Sequence, residues 1–320
     1  MFDDIVGNAS AKAFLRKAVE EKRLPQTLLF SGPDGVGKGL FAKELARVLL
    51  GDGHLLDLHI LKPEGKAGLY AIETLREMIE KEHAASFEGR GKVFVLEDVE
   101  RMQPVCANAL LKTLEEPTEG TTFVLLTSAV HEILPTIVSR CVVLQFYPLA
   151  ETEIAAILQQ KGKAIHAAKM AHGSIRRALE WVDLPELAQQ RNILFQILAS
   201  ELSYPELSLK IDELERLLEE GKEEDPVRVG KRFEHLLVDI LSWYRDQVVR
   251  ALGRGDLLLY PDLVGGQTPV LHTARQKLVK MEKRVEMARL AFQRNMKFSA
   301  IFRTILTWSE ELQNSRACVN

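Results

Sequence analysis

The chain has 320 residues, of which 46% are hydrophobic and 27% charged, so it is long enough for two or three domains with a sizeable core. Its formal net charge of −3 excludes a globally basic nucleic-acid-binding protein, and contact with DNA would need a local positive face. The three cysteines, Cys106, Cys141 and Cys318, are widely spaced and form no CxxC pair, which argues against a zinc site and for reduced thiols.

The first half of the chain alternates short runs of β-forming residues with helical patterns. Four runs predict buried strands: Thr27–Ser31, Lys92–Asp98, Thr121–Ser128 and Cys141–Phe146. The spacing of apolar residues predicts helices over Gly39–Leu50 and Ala107–Glu116, and the second of these stops at a proline. Strands separated by helices indicate an α/β fold with a parallel sheet covered on both faces.

The rest of the chain has helical patterns only. Ala150 to about Asp183 predicts two or three short helices, and the chain from Pro185 onward predicts longer amphipathic helices. Four glycines predict a loop over Gly253–Gln267. A last helical run is predicted from about Pro269 to Gln313.

The segment Gly32–Lys38 (GPDGVGK), called the glycine loop below, has the spacing of a phosphate-binding loop. It follows a predicted strand and precedes a predicted helix, as that motif requires. Gly32, Gly35 and Gly37 allow the backbone to turn several N–H groups toward one anion, and Lys38 can reach the terminal phosphates. We therefore expect ATP or ADP as a ligand, the alternative being a chance glycine-rich turn.

Two departures from the usual motif predict weak chemistry at this site. Gly39 stands where a Ser or Thr hydroxyl would ligate Mg²⁺, so Mg²⁺ would be held only weakly, if at all, and phosphoryl transfer depends on it. The predicted strand ends in Glu97-Asp98, whereas the second acidic motif of such sites (Walker B) usually ends in Asp-Glu. The reversal would displace both carboxylates by more than ~1 Å, which can cost on the order of a hundredfold in rate. The alternative is that both acids merely end the strand.

The sequence resembles the clamp-loader branch of the AAA+ ATPases. NALLKTLEEP, and then SRC after the next predicted strand, are similar to the run that follows Walker B in that family. GSIRRAL (Gly173–Leu179) is similar to its sensor 2 motif, and LLVDILSWYRD (Leu236–Asp246) and RLAFQRNMKFSAIF (Arg289–Phe302) are similar to helices of its collar domain. The resemblance covers the whole chain and is strongest over Val93–Phe146.

Within that family the chain is most similar to the delta-prime branch of bacterial DNA polymerase III. The gamma and tau chains carry a four-cysteine zinc module between the two Walker motifs, whereas this chain has no cysteine before Cys106. The resemblance therefore implies no zinc. Delta-prime chains often do not hydrolyse ATP, which agrees with Gly39 and with the order of Glu97-Asp98.

The resemblance also implies roles for three further residues. Arg140 of the SRC triplet matches the arginine that a subunit presents in trans to its neighbour's ATP γ-phosphate, a role that suits a guanidinium because it stays charged and forks onto phosphate oxygens. A surface salt bridge is the alternative for Arg140. Arg176 matches the sensor 2 arginine, with a structural role as the alternative. Thr127 matches sensor 1, although backbone pairing is the favoured interpretation of its hydroxyl.

The organisation implied by the resemblance is a RecA-like nucleotide-binding module over residues 1–148, a helical lid with sensor 2 over 149–183 and a helical collar over 184–320. The implied function is that of a clamp-loader subunit of the bacterial replicative polymerase, with weak or no ATPase activity of its own. The implied partners are gamma/tau and delta subunits, the sliding clamp, and primer-template DNA through the assembled complex. The alternatives are a gamma/tau-like motor that lacks the zinc module and a stand-alone AAA-like DNA-binding adaptor.

Scattered basic residues give a weaker signal. A DNA-facing surface is one interpretation of Lys92, Arg101, Lys112 and Arg177, but solvated surface charges are the favoured one. The acidic N-terminus lacks an apolar signal core, and no apolar run approaches the roughly 18 residues needed to span a membrane. We therefore expect a cytoplasmic protein that does not enter a membrane.

Overall fold

The computed structural model of the protein describes residues 1–51, 56–64, 69–87, 89–165, 167–183, 186–200, 202–220, 226–261, 268–294 and 296–306. The chain divides into two compact units, Met1–Val182 and Asp183–Asn320. The finer division of the first unit into a nucleotide-binding module and a lid stays a prediction.

A five-stranded parallel sheet forms the centre of the first unit. Its strands are β1 (Thr27–Ser31), β2 (Leu58–Leu61), β3 (Lys92–Leu96), β4 (Thr121–Thr127) and β5 (Val142–Gln145). Their spatial order is β2-β3-β4-β1-β5, so β2 and β5 are the edges. The predicted α/β fold is confirmed, and the four predicted strands are all present within two residues of their expected ends.

Helices cover both faces of this sheet. The helices that pack against it are α1 (Ala9–Glu20), α2 (Lys38–Leu50), α3 (Ile72–His83), α4 (Pro104–Glu115) and α5 (Pro135–Val138). The unit continues with α6 (Glu151–Gln160), α7 (Ala167–Met170) and α8 (Ile175–Asp183). Alternate residues of β3 face opposite clusters: Val95 packs with α1 and α2, and Phe94 with α3 and α4. Every residue of β1, β3 and β4 is therefore buried, which explains their continuous apolar runs.

The strand β2 was not predicted from the sequence. It is four residues long and lies at the edge of the sheet, and only Leu61 among its residues is buried. Neither a continuous apolar run nor a strict alternation marks such a strand, so its place beside β3 is visible only in the pairing of Leu58 with Val93.

The three short helices α6, α7 and α8 agree with the pattern predicted for residues 150–183. They enclose a small hydrophobic cluster of their own, which includes Leu149, Ile154, Leu158 and Ala178. This cluster is separate from the two that flank the sheet.

The second unit is helical throughout its described residues. Its helices are α9 (Glu186–Ala199), α10 (Tyr204–Glu219), α11 (Pro226–Ala251), α12 (Leu271–Gln293) and α13 (Phe298–Leu306). The single helical run predicted over 269–313 was wrong, because the chain breaks between α12 and α13. The break lets Phe298 turn back onto Phe233 and Phe292, with ring centroids 5.2 and 5.4 Å away. Residues 307–313 lie outside the described part of the chain.

Candidate nucleotide-binding site

The glycine loop connects β1 to α2 at the carboxyl edge of the sheet, where ligands of open α/β sheets bind. Gly35 has φ +75°, and a Cβ there would lie 2.0 Å from Ser174 Oγ. At Gly32 a Cβ would lie 2.3 Å from the carbonyl oxygen of Phe146. Both positions therefore require glycine, one for its backbone conformation as well as for space.

The loop has backbone donors to offer. Gly32 N–H is used by the carbonyl of Thr127 at 3.2 Å, but no acceptor for the N–H groups of Asp34, Gly35 or Val36 is present in the described residues. The loop leads directly into α2, whose N-terminus contributes partial positive charge. These groups fit an anion the size of a phosphate.

Lys38 is held inside the loop by the loop itself. Its side chain is only 7% exposed, and Nζ donates hydrogen bonds to the carbonyls of Gly32 and of Pro33, the latter at 2.8 Å. Burial lowers the pKa of Lys38, and the negative charges of Asp34, Glu100 and Asp98 oppose that effect. A phosphate would therefore replace these carbonyls as the partner of the ammonium group.

Gly39 lies in the first turn of α2, and nothing around it requires glycine. A Cβ built there meets only Leu126 Cδ1, at 3.9 Å, which is an ordinary contact. A serine would therefore fit, but the chain has no hydroxyl at this position. The residues present fit the phosphates of a nucleotide better than they fit its Mg²⁺.

The two acids after β3 point to different surroundings. Glu97 forms a salt bridge with Lys62, at 3.0 Å, beside the end of β2. Asp98 has a left-handed backbone (φ 53°), and its charge acts on Lys38. Burial raises the pKa of Asp98, and the nearby carboxylates of Asp34 and Glu100 raise it further.

Glu100 is a site residue that the sequence did not predict. Its Oε1 accepts hydrogen bonds from Ser128, from Oγ at 2.5 Å and from N–H at 3.2 Å. Burial acts to raise the pKa of Glu100, but hydrogen bonds from Ser128 and Thr127 outweigh it and hold the pKa low. The available signal was a third acid two residues after Asp98, on the short 3₁₀ turn Val99–Arg101.

Thr127 and Arg176 both lie beside the loop. Thr127 is buried, and its hydroxyl accepts a hydrogen bond from Ala129 N–H at 3.0 Å, while its proximity helps to lower the pKa of Glu100. Arg176 Nη1 lies 3.5 Å from Asp34 Oδ2, although both side chains are exposed. At the start of α8, Ile175 N–H donates to the carbonyl of Gly35 at 3.0 Å, so this helix is joined directly to the loop.

Arg140 lies at the amino edge of the sheet, where the parallel strands begin, whereas the glycine loop lies at the carboxyl edge, where they end. It follows α5 and precedes β5, whose first residue Val142 pairs with Leu28 near the start of β1. The glycine loop begins at the other end of β1. Arg140 lies in a turn before β5, and at roughly 3.3 Å per strand residue the four steps from Leu28, beside Val142, to Gly32 separate the start of β5 from the glycine loop by ~13 Å along the strand direction.

The guanidinium of Arg140 is paired at that amino edge. It lies 3.0 Å from Glu115 Oε2, with side-chain exposures of 30% for Arg140 and 57% for Glu115. The salt bridge named above as the alternative is therefore present. Because the pair is open to solvent, it does not exclude a second partner for Arg140.

The basic residues considered for a DNA-facing surface do not share one environment. Arg101 and Lys112 are exposed, whereas Arg177 and Lys92 are buried. Lys92 Nζ donates to the carbonyls of Lys81, Glu82 and Ala84 at the end of α3. Both interpretations were therefore wrong for Lys92 and Arg177, which neither face DNA nor lie in solvent.

No group of three or more His, Cys, Asp and Glu side chains in the described residues is arranged to hold a metal ion. Nor is any helix in that part of the chain long and apolar enough to cross a membrane. Cys318 lies outside the described residues.

Comparison with known proteins finds relatives among the subunits of bacterial DNA polymerase III. A sequence model of the family described as "DNA polymerase III, delta subunit" matches residues 50–150. The delta' subunit of DNA polymerase III from Bacillus subtilis is 28% identical over 274 residues, covering 78% of this chain and 79% of that protein. The tau/gamma subunit from Haemophilus influenzae is 29% identical over 240 residues, covering 66% of this chain. This chain spans only 34% of that longer relative.

A solved structure supports the fold. The crystal structure of a DNA polymerase III gamma subunit-related protein from Thermotoga maritima matches with a TM-score of 0.51 at 19% identity, covering 93% of this chain and 98% of that one. At 19% identity this match supports the fold and not the function. The sequence relatives named above are subunits of bacterial DNA polymerase III, so the chain is similar to the bacterial clamp-loader family of AAA+ proteins.

Proposed function

We propose that this chain is a clamp-loader subunit of bacterial DNA polymerase III that hydrolyses ATP weakly or not at all and donates Arg140 to the nucleotide site of a neighbouring subunit. Its partners are motor subunits of the gamma/tau type and a delta subunit. The complex that they form acts on the sliding clamp and on primer-template DNA. This chain shares 28% identity with a delta' subunit over most of both lengths, which supports that role.

One observation carries the proposal: the glycine loop and Arg140 lie at opposite edges of the same parallel sheet. An arginine side chain is roughly 7 Å long, the length of about two strand residues at 3.3 Å each, so from the start of β5 it cannot bridge the ~13 Å to the loop. Arg140 therefore cannot reach a phosphate bound in the chain's own loop. If it acts on a nucleotide, it acts on one held by another subunit.

The chain's own site is suited to binding more than to hydrolysis. Backbone N–H groups of the loop and Lys38 bind phosphate oxygens, and Arg176 can exchange its exposed partner Asp34 for one. Bound Mg²⁺ would neutralise charge on the β- and γ-phosphates, but Gly39 offers no hydroxyl to hold it. ATP or ADP is therefore proposed as a ligand, with little turnover.

The direct test is the substitution Arg140→Ala in the assembled clamp loader. Removing an arginine supplied in trans is expected to lower the rate of ATP hydrolysis at the one site that it serves by about 10³, so the complex loses that site's share of its turnover. Lys112→Ala is a matched control, because it removes an exposed positive charge from α4 near the same edge. Gel filtration checks that the complex stays assembled. An Arg140→Ala complex that hydrolyses ATP as fast as the unchanged one would refute the proposal.

A gamma/tau-like motor is the second candidate function, and two observations favour it. The Haemophilus tau/gamma relative is as similar as the delta' relative, at 29% identity. The surroundings of Gly39 also leave open space beside the backbone, since a Cβ there would meet only Leu126 Cδ1 at 3.9 Å, and in this candidate function water would complete the Mg²⁺ shell in place of the missing hydroxyl. In this version the isolated chain turns over ATP.

A further inference from the structure

We propose that Glu115 is a positioning residue for Arg140, holding the guanidinium in the orientation in which it meets the neighbour's nucleotide. This inference rests on the proposed function, because it assigns Glu115 a part in the action of Arg140 in trans. Glu115 is the last residue of α4, and it is separated from Arg140 by 25 positions in the sequence.

The contacts between the two side chains fix one side of the guanidinium. Arg140 Nε and Nη2 both donate to Oε2 of Glu115, at 3.3 and 3.0 Å. Nη1 donates to the backbone carbonyl of Thr136 at 3.0 Å. The arginine is therefore held by a carboxylate on one side and by its own preceding helix, α5, on the other.

The backbones that carry this pair are themselves fixed. At the end of α4, the hydroxyl of Thr27 donates to the carbonyl of Leu114 at 3.2 Å, which ties the helix end to the first residue of β1. Arg140 N–H donates to the carbonyl of Ile137 at 3.0 Å. The pair thus joins two rigid elements, and losing it would free only the side chain of Arg140.

The arrangement leaves the arginine able to act. A guanidinium has five N–H donors, and the three described hydrogen bonds use three of them, one of which ends on a backbone carbonyl. Two donors remain for an oxyanion, which is the number that a forked contact with phosphate oxygens needs. Glu115 thus orients the arginine without occupying all of it.

The half-exposed pair contributes little to folding, because water screens such ion pairs. Its effect on rate can be larger, since misplacing a reacting group by about 1 Å can cost on the order of a hundredfold. We expect Glu115→Ala to lower kcat for ATP hydrolysis at the site that Arg140 serves by about tenfold in the assembled complex. The KM for ATP should not change, because ATP is bound by the neighbour's own loop.

Two variants separate positioning from a general effect of charge. Glu115→Gln keeps a carbonyl oxygen that can accept from Arg140, so it should retain most of the rate. Glu116→Ala removes the same charge one residue later, from an exposed side chain, and should have no effect. In the background of Arg140→Ala, the further change Glu115→Ala should be silent.

The outcomes distinguish this inference from the proposed function. If Arg140→Ala slows the complex but Glu115→Ala does not, Glu115 does not position the arginine, and the proposed function stands. A faster Glu115→Ala complex would also overturn the inference, because the carboxylate would then be restraining Arg140. If Arg140→Ala itself has no effect, the proposed function has failed. Each rate is measured at saturating subunit concentration, so that weaker assembly does not count as slower chemistry.

Discussion

At the scale of single residues, the candidate site concentrates negative charge around one lysine. Asp34, Asp98 and Glu100 all act on Lys38, while Glu97 is held by Lys62 at the neighbouring strand. The acid pair nearest the loop is therefore Asp98 with Glu100, whereas the sequence motif had suggested Glu97 with Asp98. Bound phosphate would add more negative charge to this cluster. Even without phosphate, the charge of Asp98 should lower the stability of the folded protein, because other carboxylates lie near it.

We predict that Asp98→Asn stabilises the protein at pH 7. Burial and the neighbouring carboxylates raise the pKa of Asp98, so the folded state binds its proton more tightly than the unfolded chain, whose aspartates titrate near about 3.9. Stability is therefore lost as pH rises from that value through the folded pKa, and the loss is complete above it. Asparagine also tolerates the positive φ of this position.

The measurement is the Tm of both proteins between pH 7 and pH 4.5. The variant should melt higher by on the order of a few degrees at pH 7, and the difference should shrink as the pH falls. A constant difference, or a variant that is less stable at neutral pH, would contradict the raised pKa.

Gly39 separates the two candidate functions. If the chain is a subunit with little hydrolysis of its own, Gly39→Ser should leave ATP turnover by the isolated chain at background, because the acids nearest the loop, Asp98 and Glu100, are not adjacent as in the usual motif. A motor with a weakened metal site should gain activity when the hydroxyl is restored. Gly39→Ala is the matched control, since it adds the Cβ without the hydroxyl.

Both substitutions fit the space at position 39 and should slightly stabilise α2, since glycine in a helix costs about 0.5–1 kcal/mol relative to alanine. An increase in turnover with serine but not with alanine would favour the motor. Equal, negligible turnover in all three proteins would favour a subunit that does not hydrolyse ATP in its own site.

At the scale of elements, the sequence predicted what local patterns determine. Strands buried on both faces, such as β4, can be predicted from their apolar runs of β-forming residues. The position of β1 can also be predicted from the glycine loop that follows it. The edge strand β2 has no such apolar run, because only one of its four residues is buried. The sequence also did not predict the break between α12 and α13, because it depends on the packing of Phe298 against an aromatic ring distant in the sequence.

The candidate site was predictable to the same extent. The glycine loop is a contiguous motif, so its position between a strand and a helix followed from the sequence alone. The contacts of Glu100 with Ser128 and of Glu115 with Arg140 join residues 28 and 25 positions apart. Such pairs depend on how strands are ordered in the sheet, which no local pattern reveals.

Lys92 gives a prediction at this scale, because it ties β3 to the end of α3. Its buried ammonium donates to three carbonyls that the helix leaves without intrahelical partners. We expect Lys92→Met to lower the free energy of unfolding by about 1–3 kcal/mol, since hydrogen bonds from a charged group are lost. Chemical denaturation measures this loss.

The control for Lys92 is Lys112→Met, which changes an exposed lysine of α4 and should alter stability by less than about 0.5 kcal/mol. A Lys92→Met protein of unchanged stability but weaker DNA affinity would contradict the structural role of Lys92. It would return this residue to the DNA-facing set.

At the scale of the whole molecule, the proposed function gives the first unit two edges that would serve different subunits. The carboxyl edge of the sheet carries the glycine loop, and the amino edge carries Arg140 with Glu115. In an assembly of related subunits, the second edge of one chain can face the first edge of the next. A chain whose own loop has lost a metal ligand can therefore still control hydrolysis through its other edge.

The measurement that tests this account most directly compares two complexes, one with Lys38→Ala and one with Arg140→Ala in this chain. The account predicts that Lys38→Ala leaves ATP hydrolysis by the assembled complex nearly unchanged, whereas Arg140→Ala removes the turnover of the site that Arg140 serves, where the rate falls by about 10³. The reverse result, a large loss with Lys38→Ala and none with Arg140→Ala, would contradict it, because the chain would then be working through its own loop.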